Sequence, residues 1–286
     1  MKLQSRVAIV TGAGGGLGRS HALYLARHGA KVLVNDLDQG MADRGAAEIK
    51  SAGGEALGFG ASVTDEARVA AMVEKVMGAW GRVDILINNA GILRDKSFAK
   101  MSMDDFRLVV DVHLMGSVIP TKAVWEIMRT QNYGRVVMTT SSTGLFGNFG
   151  QANYGAAKMA LVGLMQTLAI EGQKNNISVN CLAPTAATQM TENLMPPEML
   201  AKLAPERVSP GLLLLVGEEA PTRVILNAGA GHFARTNVTL TRGVRIGAGE
   251  DAGEQVIARW QEISDHAGET VPAGGFGQTQ QELSDG

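Results

Sequence analysis

The chain has little of several features that would assign a protein to a narrow class. One cysteine in 286 residues, Cys181, cannot form an internal disulfide, which excludes a disulfide-stapled secreted fold. Aromatic residues make up only 5% of the chain, and no uninterrupted apolar run approaches the ~20 residues of a membrane span. A net charge of −2 gives no electrostatic reason to bind nucleic acid or an anionic membrane. We therefore expect neither partner.

Targeting and metal-binding patterns are also absent from the sequence. The first six residues lead directly into a strand without a signal-peptide apolar region, and no peroxisomal or ER-retention tripeptide stands at the C-terminus. The five histidines show no metal-ligand spacing. We expect a cytoplasmic protein without a metal.

Short β-rich runs alternate with longer helical patterns along most of the chain. Continuous apolar runs such as residues 84–88 are typical of strands in a parallel sheet that helices cover on both faces. The pattern predicts a doubly wound, Rossmann-like α/β domain over residues 1–246. The remainder, 247–286, is rich in Gly, Glu, Asp and Gln and is predicted to be a tail, with one short helix over 256–263 and Trp260 packed.

A glycine-rich turn, TGAGGGLG, follows the first predicted strand and opens the first helix. Glycines let a backbone turn tightly and approach a pyrophosphate, which then lies at the positive N-terminus of the helix. The strict G-x-G-x-x-G pattern fails, because its sixth position is a leucine. The longer-spaced turn predicts cofactor contacts at Gly12, Gly16, Leu17 and Gly18.

Asp36 ends the second predicted strand, 24 residues after Gly12. An acid there hydrogen-bonds the ribose hydroxyls of NAD and repels the extra phosphate of NADP. The nearest following arginine is Arg44, so NAD is the expected cofactor. Asn89, Ala90 and Gly91 follow the fourth strand, where a turn of small residues would lie against the cofactor.

Tyr154 and Lys158 lie four residues apart, which on a helix puts both side chains on one face. An ammonium group stabilises a phenolate and lowers the pKa of the tyrosine, so the pair suits proton transfer. Ser141 follows the apolar run 135–140 and could bring a hydroxyl donor to the same carbonyl oxygen. These three residues are the predicted catalytic group.

In combination, these motifs resemble those of the short-chain dehydrogenase/reductase family over roughly residues 5–235. The resemblance implies that Tyr154 gives or takes the substrate hydroxyl proton and that Ser141 orients the substrate oxygen. It also implies that Lys158 lowers the Tyr154 pKa and holds the nicotinamide ribose. Family members pair through two long helices, so a homodimer or homotetramer is expected.

Narrower strings, NNAGILRDKSF, GNFGQANY and LAIEG, resemble the (3R)-hydroxyacyl-CoA dehydrogenase units of peroxisomal multifunctional β-oxidation enzymes. This resemblance implies oxidation of a 3-hydroxyacyl-CoA by NAD, or the reverse reduction. A steroid or other cyclic alcohol dehydrogenase and a non-catalytic NAD-binding sensor are the alternatives. A 3-oxoacyl-carrier-protein reductase fits less well, because such enzymes favour NADP and Asp36 opposes it.

The chain departs from the family pattern at three places. His113 stands where the family has an asparagine in its proton relay; it either donates a hydrogen bond there or is a satisfied core residue. Ser62 and Val63 replace the Asp-Val pair that contacts adenine. After Pro184 the usual glycine is Thr185, which leaves Thr188 as the candidate contact for the nicotinamide carboxamide.

Three cations, Arg94, Lys96 and Lys100, follow the Asn88–Gly91 turn. An acyl-CoA needs cationic partners for its phosphates, and ordinary solvated surface charges are the alternative interpretation. The sequence alone favours the second.

Overall fold

Eight strands form one sheet in the computed structural model, which describes residues 2–187 and 197–284. Every residue of the first, fourth and fifth strands is buried, as expected where helices cover both faces of a sheet. The strands are β1 (Val7–Val10), β2 (Lys31–Asp36), β3 (Ala56–Gly60), β4 (Ile85–Asn88), β5 (Gly134–Thr139), β6 (Ile177–Thr185), β7 (Ile225–Gly229) and β8 (His232–Thr236).

Helices connect the strands, and several begin at a polar residue whose side chain accepts a hydrogen bond from the first turn. Asp38, Asp65 and Ser102 do so. Over the described residues the helices are α1 (Gly16–Arg27), α2 (Gln39–Ser51), α3 (Glu66–Trp80), α4 (Met103–Val110), α5 (Gly116–Gln131), α6 (Ser142–Phe146), α7 (Ala152–Gly172), α8 (Pro197–Leu200), α9 (Leu212–Val216), α10 (Ala252–Ala258), α11 (Trp260–Ile263) and α12 (Gly275–Leu283).

The sheet order is β3-β2-β1-β4-β5-β6-β7-β8, and neighbouring pairs from β3 through β7 run parallel. The order reverses between β1 and β4. In doubly wound sheets ligands bind at such a switch point, outside the carboxyl ends of the strands. The predicted doubly wound fold is confirmed.

One strand was not expected from the sequence, which places the last strand near residues 224–227. β8 follows β7 after two residues, Ala230 and Gly231, with φ of 52° and 81°. A two-residue connection with positive φ at both positions is a hairpin turn, and parallel strands need a far longer crossover. The final strand is therefore antiparallel, and it is exposed except at Thr236.

Two apolar clusters fill the space between the sheet and its helices. On one face Leu25 of α1 and Leu215 of α9 pack on the sheet, and on the other Met72 of α3 and Met165 of α7 do so. Each of these four side chains is fully buried. The sheet is thus covered on both faces, which leaves its carboxyl edge for the site.

The stretch Met103–Gln131 is continuously helical, because a π turn over Asp111–Met115 joins α4 to α5. By length and composition alone this 29-residue stretch could cross a membrane, with 39% of its most apolar window buried. A helix that packs on a sheet passes the same test, and α5 buries Val124 and Met128 in the core.

Contacts divide the chain into two compact units, Met1–Arg235 and Thr236–Gly286. The composition changes later, at residue 247. Within the second unit Leu240 and Thr270 form a β-bridge, and the Thr241 hydroxyl donates to the Ile263 carbonyl at 2.8 Å. The expected helix over 256–263 is interrupted at Arg259, and the packed Trp260 was wrong, since that side chain is 59% exposed.

A buried polar cluster joins α1 to the 3₁₀ turn Ser209–Gly211. His21 is fully buried, its Nδ1 lies 2.9 Å from the Ser209 hydroxyl, and the Ser20 hydroxyl lies 2.8 Å from the same oxygen. The other ring nitrogen, Nε2, has no protein partner. Burial lowers the pKa of His21 from 6.5 to about 3, so the imidazole stays neutral at physiological pH.

His21 makes the fold sensitive to acid. Its pKa is lower in the folded chain than in the unfolded chain, so the unfolded state binds the extra proton as pH falls through 6.5. This stability is fully present above pH 6.5 and is lost progressively toward pH 3. We expect the folded chain to lose about 2 kcal/mol between pH 7.5 and pH 5 through His21 alone.

Urea unfolding of His21→Gln at the two pH values measures this loss. The change in the free energy of unfolding between the two pH values should be about 2 kcal/mol smaller for the variant than for the native chain. The exposed His232→Gln variant is the matched control and should keep the native dependence. An unchanged slope in His21→Gln would show that His21 is not the titrating group.

Candidate active site

The carboxyl ends of the parallel strands bring the sequence-predicted residues to one edge of the sheet. Each group follows a different strand, so no sequence-local motif assembles the site. The groups are the turn from Gly12 to Gly18 after β1, Asp36 at the end of β2, Ser62 and Val63 after β3, Asn89 to Gly91 after β4, and Ser141 after β5.

The glycine-rich turn requires glycine at two of its predicted contact positions. Gly12 has φ of 60°, and an added Cβ would lie 2.8 Å from the Ala90 Cα. A Cβ at Gly18 would lie 2.2 Å from the Gly12 carbonyl oxygen. Gly16 begins α1 with φ of 51°, while Leu17 packs against the core. No side chain caps the N-terminus of α1, so its backbone N–H groups remain available to an anion.

The turns after β1 and β4 are tied together by Thr11, which sequence reasoning missed. The Thr11 hydroxyl accepts hydrogen bonds from the backbone N–H groups of Asn89 and Ala90 at 3.0 and 3.1 Å. The Asn89 side chain donates to the carbonyls of Thr11 and Gly12 at 3.0 and 3.1 Å. The Asn89 side chain therefore holds the start of the glycine-rich turn in place.

Asp36 lies beside the glycine-rich turn. Its Oδ2 accepts a hydrogen bond from the Gly14 backbone N–H at 3.0 Å, and a Cβ added at Gly14 would lie 2.7 Å from the same oxygen. The carboxylate and the turn are thus one unit, in the position where a cofactor ribose would meet an acid.

Ser62 and Val63 follow β3 at the same edge. The Ser62 hydroxyl lies 2.8 Å from the Thr64 hydroxyl, and Val63 is only 6% exposed. A Cβ at Gly116 would lie 2.5 Å from Val63, so Val63 packs closely on the start of α5. Thr188, the candidate contact for the nicotinamide carboxamide, lies outside the described residues.

Tyr154 and Lys158 lie on α7, and the Lys158 Nζ stands 5.5 Å from the centre of the Tyr154 ring. Lys158 is 3% exposed, and its ammonium donates to the Thr139 carbonyl at 2.6 Å. Ser141 caps α6 by accepting from the Thr143 N–H at 3.1 Å, which leaves its own proton free to donate. The structure brings the three predicted catalytic residues together.

Burial controls the protonation of this group. It lowers the pKa of Lys158 from 10.5 to about 7 and raises the pKa of Tyr154, which a hydrogen bond with Ser141 partly offsets and the Asp95 carboxylate adds to. The Tyr154 pKa is therefore raised overall, because burial outweighs the interactions that lower it. The phenol is in its protonated form at neutral pH.

His113 lies in the π turn and faces Tyr154, with ring centres 5.1 Å apart and ring planes at 89°. Its Nε2 lies 2.7 Å from the Ile92 carbonyl oxygen, whereas its buried Nδ1 has no protein partner. Burial, with the nearby positive Lys158, lowers the pKa of His113 to about 3. The Ile92 backbone N–H also lies within hydrogen-bond distance of Nε2, at 3.1 Å. Nδ1 is an acceptor in the tautomer that donates from Nε2 to the carbonyl, and a donor in the tautomer that accepts there from the Ile92 N–H. In both tautomers His113 is only half satisfied by the core.

Gly91 gives the ring of His113 its space. A Cβ at Gly91 would lie 2.3 Å from the His113 Cε1, closer than any real side-chain contact. The predicted small-residue turn after β4 is thus shaped by the histidine at least as much as by a ligand.

A hydrogen-bond network around Gln151 was also missed by sequence reasoning. The Gln151 amide donates to the Asp95 carboxylate at 2.7 Å, and its carbonyl accepts from Thr143 at 2.9 Å. The Asn153 amide donates to the Arg94 carbonyl at 3.1 Å. Only the closeness of Gln151 and Asn153 to Tyr154 in the sequence could have pointed to these hydrogen bonds, because no spacing rule links the two residues to the segment around Asp95.

Other reactive groups contribute little chemistry. Cys181 is buried, and burial raises the pKa of its thiol, as expected for a small core residue rather than a nucleophile. Over residues 2–187 and 197–284, no group of three or more His, Cys, Asp or Glu side chains could hold a metal ion.

Comparisons with known proteins agree with this geometry. Residues 6–198 match the short chain dehydrogenase family model. A short-chain type dehydrogenase/reductase of Mycobacterium tuberculosis is 46% identical over 279 residues, which cover 94% of this chain and 97% of that protein. The peroxisomal hydratase-dehydrogenase-epimerase of Saccharomyces cerevisiae is 45% identical over 93% of this chain, but the match spans only 31% of the yeast protein.

A solved structure of 7α-hydroxysteroid dehydrogenase, complexed with NADH and 7-oxo glycochenodeoxycholic acid, is also similar. It superposes with a TM-score of 0.75 at 29% identity, covering 80% of this chain and 95% of that one.

The buried ammonium of Lys158 should cost stability. Below pH 7 the lysine is charged in both the folded and unfolded states, so the full cost of burying the charge is present. Between pH 7 and 10.5 the folded state releases the proton first, and stability rises with pH. We expect the free energy of unfolding of Lys158→Met at pH 6 to exceed that of the native chain by about 1 kcal/mol or more. Between pH 6 and pH 9 the native chain should gain about 3 kcal/mol relative to the variant, which closes or reverses the difference.

Urea midpoints of the two proteins at pH 6 and pH 9 test this. Lys174→Met, at an exposed lysine on the other edge of the sheet, is the control and should show no such pH-dependent difference. A Lys158→Met protein that is less stable at both pH values would mean that the bond to Thr139 outweighs the desolvation of the charge.

Proposed function

The chain belongs to the short-chain dehydrogenase family, and we propose that it transfers a hydride between NAD(H) and the 3-hydroxyl or 3-keto group of an acyl-CoA. One observation carries the proposal. Ser141, Tyr154 and Lys158 converge at the carboxyl edge of the sheet, beside a glycine-rich turn whose helix N-terminus is uncapped.

The residues at the edge fit NAD(H). The uncapped N-terminus of α1 offers N–H groups to a pyrophosphate, and Gly14 lacks the Cβ that would strike the Asp36 carboxylate beside the turn. Asp36 would meet the adenosine ribose. The similarity to a steroid dehydrogenase complexed with NADH supports the same cofactor. When bound, NAD(H) supplies the acceptor or donor of the hydride.

The side chains of the site handle the proton and the substrate oxygen. In oxidation the Tyr154 phenolate takes the hydroxyl proton as the carbon loses its hydride, and the hydroxyl becomes a ketone. In reduction the phenol returns that proton to the oxygen. Ser141 donates a hydrogen bond to the oxygen in both directions, and Lys158 stabilises the phenolate from a site that excludes water.

The protonation state of Tyr154 affects which direction of the reaction, alcohol oxidation or ketone reduction, is easier to observe. Because burial raises its pKa, the phenol is ready to donate at neutral pH, which suits ketone reduction. The unpartnered Nδ1 of His113 lies in the ring that contacts Tyr154, so we assign His113 a role in holding a water or hydroxyl beside the phenol.

The acyl-CoA substrate is supported by the resemblance in the NNAGILRDKSF and GNFGQANY segments and by the similarity to the yeast hydratase-dehydrogenase-epimerase. A steroid alcohol is the second candidate, favoured by the similarity to 7α-hydroxysteroid dehydrogenase. We retain a cytoplasmic location and a homodimer or homotetramer as predictions from the sequence.

Reduction of short and medium 3-ketoacyl-CoA thioesters, followed by NADH oxidation, tests the proposal. The native chain should turn over, and Tyr154→Phe should lower kcat by about 10²- to 10⁴-fold because the proton donor is lost. NADH binding by Tyr154→Phe, measured by fluorescence, is the control for folding. Turnover of steroid ketones without turnover of the thioesters would overturn the acyl-CoA assignment. Cofactor binding with no turnover on any ketone would favour the sensor.

Asp36 should set the preference for NADH over NADPH. Replacing it with asparagine keeps an acceptor for the Gly14 N–H but removes the charge that repels a 2′-phosphate. We expect the ratio of kcat/KM for NADH over NADPH to fall at least about tenfold, or about 1.4 kcal/mol. Asp38→Asn, which keeps the cap of α2, is the matched control and should leave the ratio near that of the native chain. Equal ratios in the two variants would contradict the assigned role of Asp36.

A further inference from the structure

Two loops stand together at the mouth of the site, and we call them the mouth loops: residues 93–100 and residues 146–150. The Lys96 backbone N–H donates to the Gly150 carbonyl at 2.9 Å, which joins the loops directly. The Gln151–Asp95 and Asn153–Arg94 hydrogen bonds hold the same two segments. The mouth loops are therefore one fixed surface rather than two independent loops.

This surface begins at the reacting groups. The first loop follows Ile92, whose carbonyl is held by His113, and the second follows α6, which Ser141 caps. Asn153 precedes Tyr154 and binds the first loop. A substrate whose carbonyl is held by Ser141 and Tyr154 would extend outward across the mouth loops.

The first mouth loop carries three exposed cations and one exposed acid. The Arg94 and Lys96 side chains are 51% and 56% exposed, whereas the Asp105 carboxylate that pairs with them is 21% exposed. The pairing is loose at Arg94, with 3.9 Å from Nε to the carboxylate. Lys100 is exposed and has no ion pair within the part of the chain that the structure describes. Asp95, the acid of the loop itself, is exposed and accepts a hydrogen bond from Gln151.

Three phenylalanines on the same surface are exposed to solvent. Phe98, Phe146 and Phe149 are 74%, 69% and 89% exposed. Large apolar side chains gathered at one place on a surface mark a binding site more often than single ones do. An aromatic ring beside cations suits a ligand that carries both a flat base and phosphates, because base stacking and charge pairing can act together.

We propose that the mouth loops bind the 3′-phosphorylated ADP end of coenzyme A, with Arg94, Lys96 and Lys100 on the phosphates and an exposed phenylalanine under the adenine. The inference rests on the proposed acyl-CoA activity and names the part of the substrate that the mouth recognises. In an acyl-CoA the pantetheine arm separates the thioester from the phosphates, so a nucleotide subsite has to lie outside the reacting centre, as these loops do. An acidic carrier protein would use the cations but would bring no base to the phenylalanines.

The experiment compares two substrates that share the reacting end. Acetoacetyl-CoA carries the nucleotide, and the acetoacetyl thioester of pantetheine does not. We expect the native chain to prefer acetoacetyl-CoA in kcat/KM. Lys100→Ala, Arg94→Ala and Phe149→Ala should each lower the ratio of the two kcat/KM values by about fivefold to tenfold, chiefly through the KM for acetoacetyl-CoA. Higher salt should lower the ratio for the native chain more than for Lys100→Ala.

Lys174→Ala, on the opposite edge of the sheet, is the matched control and should keep the native ratio. Equal kcat/KM for the two thioesters in the native chain, or an unchanged ratio in all three variants, would overturn the nucleotide site. Faster turnover of an acyl-carrier-protein thioester, impaired by the same lysine and arginine variants but not by Phe149→Ala, would replace coenzyme A with an acidic carrier.

Failure of the proposed acyl-CoA activity can be distinguished from failure of the proposed nucleotide site. If neither thioester turns over, the acyl-CoA function fails, and binding of 3′-phospho-ADP measured by calorimetry decides the mouth loops alone. Binding that Lys100→Ala and Phe149→Ala weaken would sustain the nucleotide site, and no binding would remove it.

Discussion

The buried ammonium of Lys158 is the constraint around which the site is arranged. Placing a charge in the interior is costly unless its protons are accepted, and here the Thr139 carbonyl accepts one at 2.6 Å. The Thr140 hydroxyl donates to the Lys158 carbonyl at 2.7 Å, so the end of β5 and the middle of α7 are fixed to each other. A Cβ at Gly144 would lie 2.8 Å from the Lys158 Cβ, so α6 closes over the stem of the lysine and keeps water out.

Apart from the Lys158 ammonium, the reacting groups of the interior are neutral, whereas the entrance of the site carries several exposed charges. Burial keeps His113 unprotonated and Tyr154 protonated, and it brings the pKa of Lys158 to about 7. The more exposed cations of the mouth loops lie where water reduces the cost of their charge. This gradient separates two tasks: the interior handles the reacting carbon and its proton, and the entrance handles the polar remainder of a ligand.

Much of the fold and of the site could be predicted from local patterns. Apolar runs predicted the strands, glycines predicted the turn after β1, and the four-residue spacing placed Tyr154 beside Lys158 on α7. The Thr11 and Gln151 hydrogen bonds join segments more than fifty residues apart, and no periodicity records such contacts. The sign of the Tyr154 pKa shift could not be predicted from the sequence either, because it depends on how deeply the ring is buried.

The contact between Gly91 and His113 restricts how this protein could change over evolutionary time. The ring atom that a Cβ at residue 91 would strike lies at 2.3 Å, too close for a small backbone adjustment to relieve. A larger residue at 91 therefore requires that the His113 ring move or that residue 113 become smaller. Substitutions at the two positions are therefore coupled, and the glycine stays constrained for as long as the histidine ring keeps this place.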